Sequence, residues 1–119
     1  MPYIGCQLNK KLTKDQAYRI ERRMGKSIEL FEGINEEVLM VAVQDDTSMT
    51  FKGDAEVPMA FLDVRILSKA LKDDQDFAIP AKDMMKIIEE EAGVPEENIY
   101  ITFASVKNWG RKHGDLYML

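Results

Sequence analysis

The chain has 119 residues, enough for a single domain (1–119) whose core needs no metal or disulfide staple. Hydrophobic residues make up 45% and charged residues 31%, which fits a folded globular protein and argues against disorder; 16 Lys and Arg against 21 Asp and Glu leave a net charge of −5, which a nucleic-acid backbone would repel. One cysteine, Cys6, excludes an intrachain disulfide framework, and with one histidine, His113, it excludes a metal site built on several His or Cys ligands.

Tyr3 to Leu8 is a short, mostly apolar run ending at Asn9-Lys10-Lys11, and it reads as a strand. Thr13 and Gln16 have the spacing of a capping box. Behind them Ala17, Ile20, Met24, Ile28 and Phe31 recur at steps of three and four, which predicts one amphipathic helix closed by Gly33. Gly25 inside that helix costs about 1 kcal/mol relative to alanine and marks a place for close packing. Val38 to Val43 is a continuous apolar run, expected as a strand buried on both faces. Asp45-Asp46 marks a turn, Ser48 to Phe51 fits a short edge strand, and Met59 to Leu67 is the third main strand. Ile79-Pro80 opens a second helix with Ala81, Met84, Met85, Ile88 and Ala92 on its apolar face, and Gly93 and Pro95 end it. Ile99 to Ala104 is the fourth strand, and residues 107–119 read as a polar tail with an apolar end.

Strand, helix, strand thus recurs with a period of roughly 55–60 residues. Two such right-handed units give an α/β (α+β) fold: a duplicated β-α-β with a four-stranded mixed sheet and both helices on one face. The other face would be bare, so it is expected to pack on further copies of the chain. No stretch approaches the roughly 18 apolar residues of a membrane span, and the start is not that of a secretory signal, so the expected location is the cytoplasm, with unconventional secretion leaving no sequence mark.

Pro2 carries the most distinctive chemistry. Linked to Met1 it is an amide whose nitrogen lone pair is delocalised, and it is no base. With Met1 removed it becomes a secondary amine, and an apolar setting disfavours its ammonium form, which makes it a general base near neutral pH. A proline at this position also simply begins a strand.

Pro2 at the start of the first strand, Met49-Thr50-Phe51-Lys52-Gly53, Asn98-Ile99-Tyr100-Ile101-Thr102-Phe103 after a Gly-Val-Pro helix exit, and Asn108-Trp109-Gly110 together resemble the macrophage migration inhibitory factor family of the tautomerase superfamily. The resemblance runs in order over nearly the whole chain. It implies a homotrimer with active sites between subunits, no metal and no organic cofactor. It also implies keto–enol isomerisation of a small keto acid such as phenylpyruvate, with Pro2 as base. The backbone N–H of Ile66 would help hold the substrate carboxylate, Tyr100 would reach in from a neighbouring subunit, Thr102 stands where the family has Asn, and Trp109 would supply the C-terminal aromatic wall. The chain departs from the pattern at two positions: Ile34 stands where the family carries a carboxylate-gripping Lys, and Val38 where it carries Tyr. Losing a charge-assisted hydrogen bond costs roughly 1.5–3 kcal/mol. Arg65, next to Ile66, is a cation that could act from another direction; its alternative is an ion-paired strand residue. Ile34 and Val38 also favour a different class of function, a catalytically weak trimeric binding or cytokine-like protein with an unidentified receptor. A third reading is a related decarboxylation or dehalogenation, with Asp63 and Arg65 as nearby polar groups.

Remaining features have plainer readings. Arg19, Arg22, Arg23 and Lys26 are expected on a solvated helix face, and Met24, Met40, Met84 and Met85 on core positions. Cys6 reads as a small buried apolar residue. Glu89, Glu90 and Glu91 oppose the dipole of the second helix, with no evident partner in the sequence.

Overall fold

Burial alternates along the first strand, β1 (Pro2–Leu8): Pro2, Ile4, Cys6 and Leu8 are buried, while Tyr3, Gly5 and Gln7 are half-buried. That period of two decides which face of the sheet meets the helices. The structure is a computed structural model that describes residues 2–119, the side chains of residues 113 and 117 excepted. The processing of Met1 and any role for the His113 side chain therefore lie outside the described residues.

The elements following β1 are α1 (Lys14–Ser27), β2 (Met40–Gln44), β3 (Ala60–Leu67), α2 (Ala78–Ala92), β4 (Ile99–Val106), β5 (Gly110–His113) and β6 (Asp115–Met118). The four long strands form one mixed sheet in the order β2-β1-β3-β4. β1 runs parallel to β2 and β3 parallel to β4, each pair joined through its helix, and the two halves meet antiparallel at β1 and β3. This is the expected duplicated β-α-β. Ile20, Met24 and Ile28 from the first helical segment and Met84, Ile87 and Ile88 from α2 close over Ile4, Leu62 and Val64 to form the core.

The capping box at Thr13 forms as expected, with Thr13 accepting from the Gln16 N–H and Gln16 accepting from the Thr13 N–H. The helix stops earlier than the stripe predicts. α1 ends at Ser27, a 3-10 turn covers Ile28–Leu30, and Phe31 is already extended. The reason is aromatic packing: Phe31 is fully buried and lies edge-on to Phe77 and Phe103, with both ring centroids at 5.9 Å. Gly33 then turns the loop with a φ of +83°. Gly25 is buried, and a Cβ there would meet the Glu36 carboxylate at 2.5 Å. α2 starts one residue before the predicted opening. Asp76 accepts from the Ala78 N–H, Pro80 sits in the first turn where its missing donor costs nothing, and Gly93 closes the helix with φ +71°. Its face also differs: Pro80 and Ile87 are buried, whereas Ala81 and Met85 are half-buried.

Three further segments depart from expectation. The run from Val38 to Val43 is not a strand buried on both faces. Val38 belongs to a 3-10 turn, and β2 is an edge strand whose Val41 and Val43 face the core while Met40, Ala42 and Gln44 are exposed, because the helices cover one side of the sheet only. Met40 is accordingly not a core residue, being 69% exposed. Ser48 to Phe51 is not an edge strand. Phe51 and Asp54 exchange two backbone hydrogen bonds around Lys52 and Gly53, both at positive φ, which makes a tight turn. The polar tail is instead the β5–β6 hairpin, turned at Gly114 with φ +82°.

The basic face of α1 is not simply solvated. Arg19 bonds Glu91 at 2.8 Å, and Arg23 bonds Glu90 at 2.7 Å and Glu91 at 3.1 Å, so the acidic end of α2 is neutralised by α1. Lys10 donates to the Ala92 carbonyl at 2.9 Å and adds a cation at that helix terminus, where the dipole favours one. Among the described residues no helix is long and apolar enough to cross a membrane.

Candidate active site

The register of the sheet gathers one end of four strands. Pro2 lies opposite Ile66, Tyr3 lies between Met40 on one side and Arg65 on the other, and Ile66 lies beside Ser105 near the end of β4. A cavity of about 650 Å³ opens there, within the size range of small-molecule sites. Pro2 and Tyr3 form part of its wall, Glu37, Val38 and Met40 enter from the chain before and at the start of β2, and Arg65 enters from β3. The chain leaving β4 at Val106 closes the remaining side with Asn108, Trp109, Gly110 and Arg111. Trp109 is held by the hairpin: its carbonyl accepts from the Leu119 N–H at 2.7 Å and its N–H donates back at 3.4 Å.

Pro2 is buried among these groups. Arg65 lines the cavity, but its guanidinium is taken by Asp63, with Nη2 at 2.9 Å and Nε at 3.2 Å from one carboxylate oxygen. It also lies 5.8 Å from the centroid of the Tyr3 ring. Ile66 presents its backbone at the Pro2 register, while its side chain belongs to the core. Ile34 is likewise a core residue, 6% exposed, so a lysine there would have to be accommodated in the interior. Lys26 is bonded to Glu36 at 2.8 Å and is not part of the cavity wall.

Tyr100 and Thr102 are not brought to this cavity within one chain. Both lie on the exposed face of β4; Tyr100 is 65% exposed and packs edge-on against Phe51 at 5.5 Å. Cys6 points into the core beyond the cavity. Burial, with a smaller contribution from the Glu21 charge, pushes its thiol up to about 12, so it is unsuited to nucleophilic work. Among the described residues no group of three or more His, Cys, Asp or Glu side chains could hold a metal ion.

Glu37, Met40, Asn108 and Arg111 line the cavity and were not singled out as site residues from sequence. Met40 lies within a run that reads as pure core and Glu37 directly precedes it, while Arg111 sits in what reads as tail. A readable signal was Gly114 between two four-residue segments, the pattern of a hairpin that folds Arg111 back.

The duplicated β-α-β sheet with two helices on one face defines the class, the tautomerase-superfamily fold. Within that class the structure is that of the macrophage migration inhibitory factor proteins, at divergent sequence. The Entamoeba histolytica migration inhibitory factor-like protein superposes with a TM-score of 0.81 at 24% identity, covering 98% of this chain and 98% of that one. The Prochlorococcus marinus homologue gives 0.79 at 25% identity, over 96% and 97% of the two chains. A protein crystallised after inactivation by 2-oxo-3-pentynoate gives 0.76 at 13% identity, over 95% and 94%. No sequence-family profile matches the chain and no curated protein matches it in sequence.

Proposed function

We propose that the chain is a migration inhibitory factor-like tautomerase that interconverts the keto and enol forms of a small aryl keto acid such as phenylpyruvate. With Met1 removed, the Pro2 nitrogen takes a proton from the carbon beside the ketone, the electron pair moves into the carbonyl to give an enolate, and the oxygen is then protonated. The reading is carried by the position of Pro2, buried on the wall of a cavity that Val38, Met40 and Trp109 make largely apolar. Such surroundings disfavour an ammonium ion and leave the amine free to accept a proton. The inhibitor of one similar protein, 2-oxo-3-pentynoate, is itself a keto acid, which fits a substrate of this type.

In this reading the active unit is a homotrimer. Tyr100 and Thr102, on the open face of one subunit, complete the site of the next; the Ile66 N–H, Trp109 and the Arg65 side of the wall orient the substrate. No metal or organic cofactor takes part.

The experiment has two parts. Intact mass determines whether Met1 is removed, and a phenylpyruvate enolisation assay compares wild type with Pro2→Gly. The expected result is a loss of about 100-fold or more in kcat/KM, the range of general-base catalysis. The buried Ile34 and the apolar Val38 support a second reading, a trimeric binding protein with little catalysis, acting through a receptor. Equal, near-background rates for both proteins would select it.

A further inference from the structure

Arg111 lines the cavity and, among the described residues, has no ion-pair partner. It lies in β5, two residues beyond Trp109, and both line the same cavity. In an extended chain residues two apart share a side, so the open end of the hairpin presents an indole and a guanidinium together. The cross-bonds between Trp109 and Leu119 fix where that edge of the hairpin begins. Among the described residues Arg111 forms no ion pair, whereas the fork of Arg65 is already filled by Asp63. Glu37 is the carboxylate on the cavity wall, and its charge opposes a second anionic group.

From this arrangement we infer that Arg111 is the specificity-determining residue of the cavity: it binds the carboxylate of a mono-anionic ligand whose apolar body lies on Trp109. A planar guanidinium offers a carboxylate two parallel hydrogen bonds, and Pro2 and Val38 provide an apolar wall for the rest of the ligand. This assignment rests on the tautomerase site proposed above and adds the residue that holds the ligand's carboxylate; it concerns binding and stands apart from the proton transfer.

Trp109 is the single tryptophan, so its fluorescence reports ligand at this cavity. The test is titration of the full chain with phenylacetate and with its neutral counterpart phenylacetamide. Wild type binds the anion more tightly. Arg111→Ala loses about ten-fold to a hundred-fold in phenylacetate affinity, the range of one charge-assisted hydrogen bond, with little change for phenylacetamide. Arg111→Lys, which retains charge without the fork, recovers part of the preference. Lys112→Ala removes the same charge from the neighbouring position outside the cavity and keeps the wild-type preference. A wild type with no preference for the anion, or a preference that survives Arg111→Ala, overturns the assignment. If the anion preference depends on Arg111 but neither wild type nor Pro2→Gly turns over phenylpyruvate, the tautomerase reading falls and the anion site stands.

Discussion

Cys6 is the sole thiol of the chain, and its place decides its chemistry. It is 2% exposed on the inner face of β1, and its thiol, pushed up to about 12, stays protonated at neutral pH. We expect iodoacetamide to leave the native chain unmodified at pH 7.5 and to label it once guanidinium unfolds it; mass spectrometry would read one added carbamidomethyl group. Rapid labelling of the native chain would contradict the burial. The burial of Cys6 was legible because a free cysteine in an apolar strand behaves as a small hydrophobe; the alternation along β1 decides the face it takes. Pro2 stood out for another reason, since the start of a strand and a distinctive nitrogen coincide there, and it lies on the cavity wall. Arg111 did not stand out. A charged residue among other charges has no period to betray it, and its one mark in the sequence was Gly114, where the hairpin folds it back to the cavity that Pro2 lines. Arg65 lines the cavity, and its bond to Asp63 two residues earlier on the same strand was left as one of two alternatives, because side-chain forks are not written in spacing.

The helices show the same division between local and long-range causes. The Thr13 capping box is a contact over three residues and was readable; so was the Gly93 stop. The true end of α1 was not, since Ile28 and Phe31 keep the helical stripe through a 3-10 turn that only Phe77 and Phe103 explain. The acidic end of α2 looked unfavourable until Arg19 and Arg23 were found across it. These bonds, Arg19 first, hold the Glu91 carboxyl below its ordinary range despite partial burial, which acts the other way. A carboxylate with a lowered folded pKa stabilises the fold above its ordinary pKa and loses that contribution as pH falls through the lowered value. Glu91→Gln is therefore expected to destabilise the protein at pH 7 by about 0.5–1 kcal/mol, because its arginines are largely in water and exposed ion pairs are weak. The difference from wild type should shrink on acidification from pH 5 towards 3. Urea unfolding across that range would measure it, and a difference that grows in acid would refute the assignment.

At the scale of the molecule, the double β-α-β was legible from the recurrence of strand, helix and strand, but the status of β2 was not. An apolar run looks the same whether both faces are buried or one awaits a cover. Here both helices lie on one side, leaving Tyr3, Phe61 and Tyr100 along an open face beside Asp63 and Thr102. Pro2 and Tyr100 belong to different ends of this arrangement: one is buried at the cavity, the other is 65% exposed on β4 and absent from the cavity wall. If the active unit is the proposed homotrimer, with Tyr100 of one subunit completing the cavity of the next, the two residues of a working site come from different chains. Light scattering should first give three times the chain mass. Pro2→Gly and Tyr100→Ala, each impaired alone, should then complement when unfolded together in equal amounts and refolded. Random assortment around a threefold ring pairs an intact Pro2 with an intact Tyr100 in about a quarter of the sites. Phenylpyruvate turnover should recover to about that fraction of wild type, above either parent. A site contained within one chain predicts no recovery beyond the mean of the two parents, because every chain in the mixture carries one lesion.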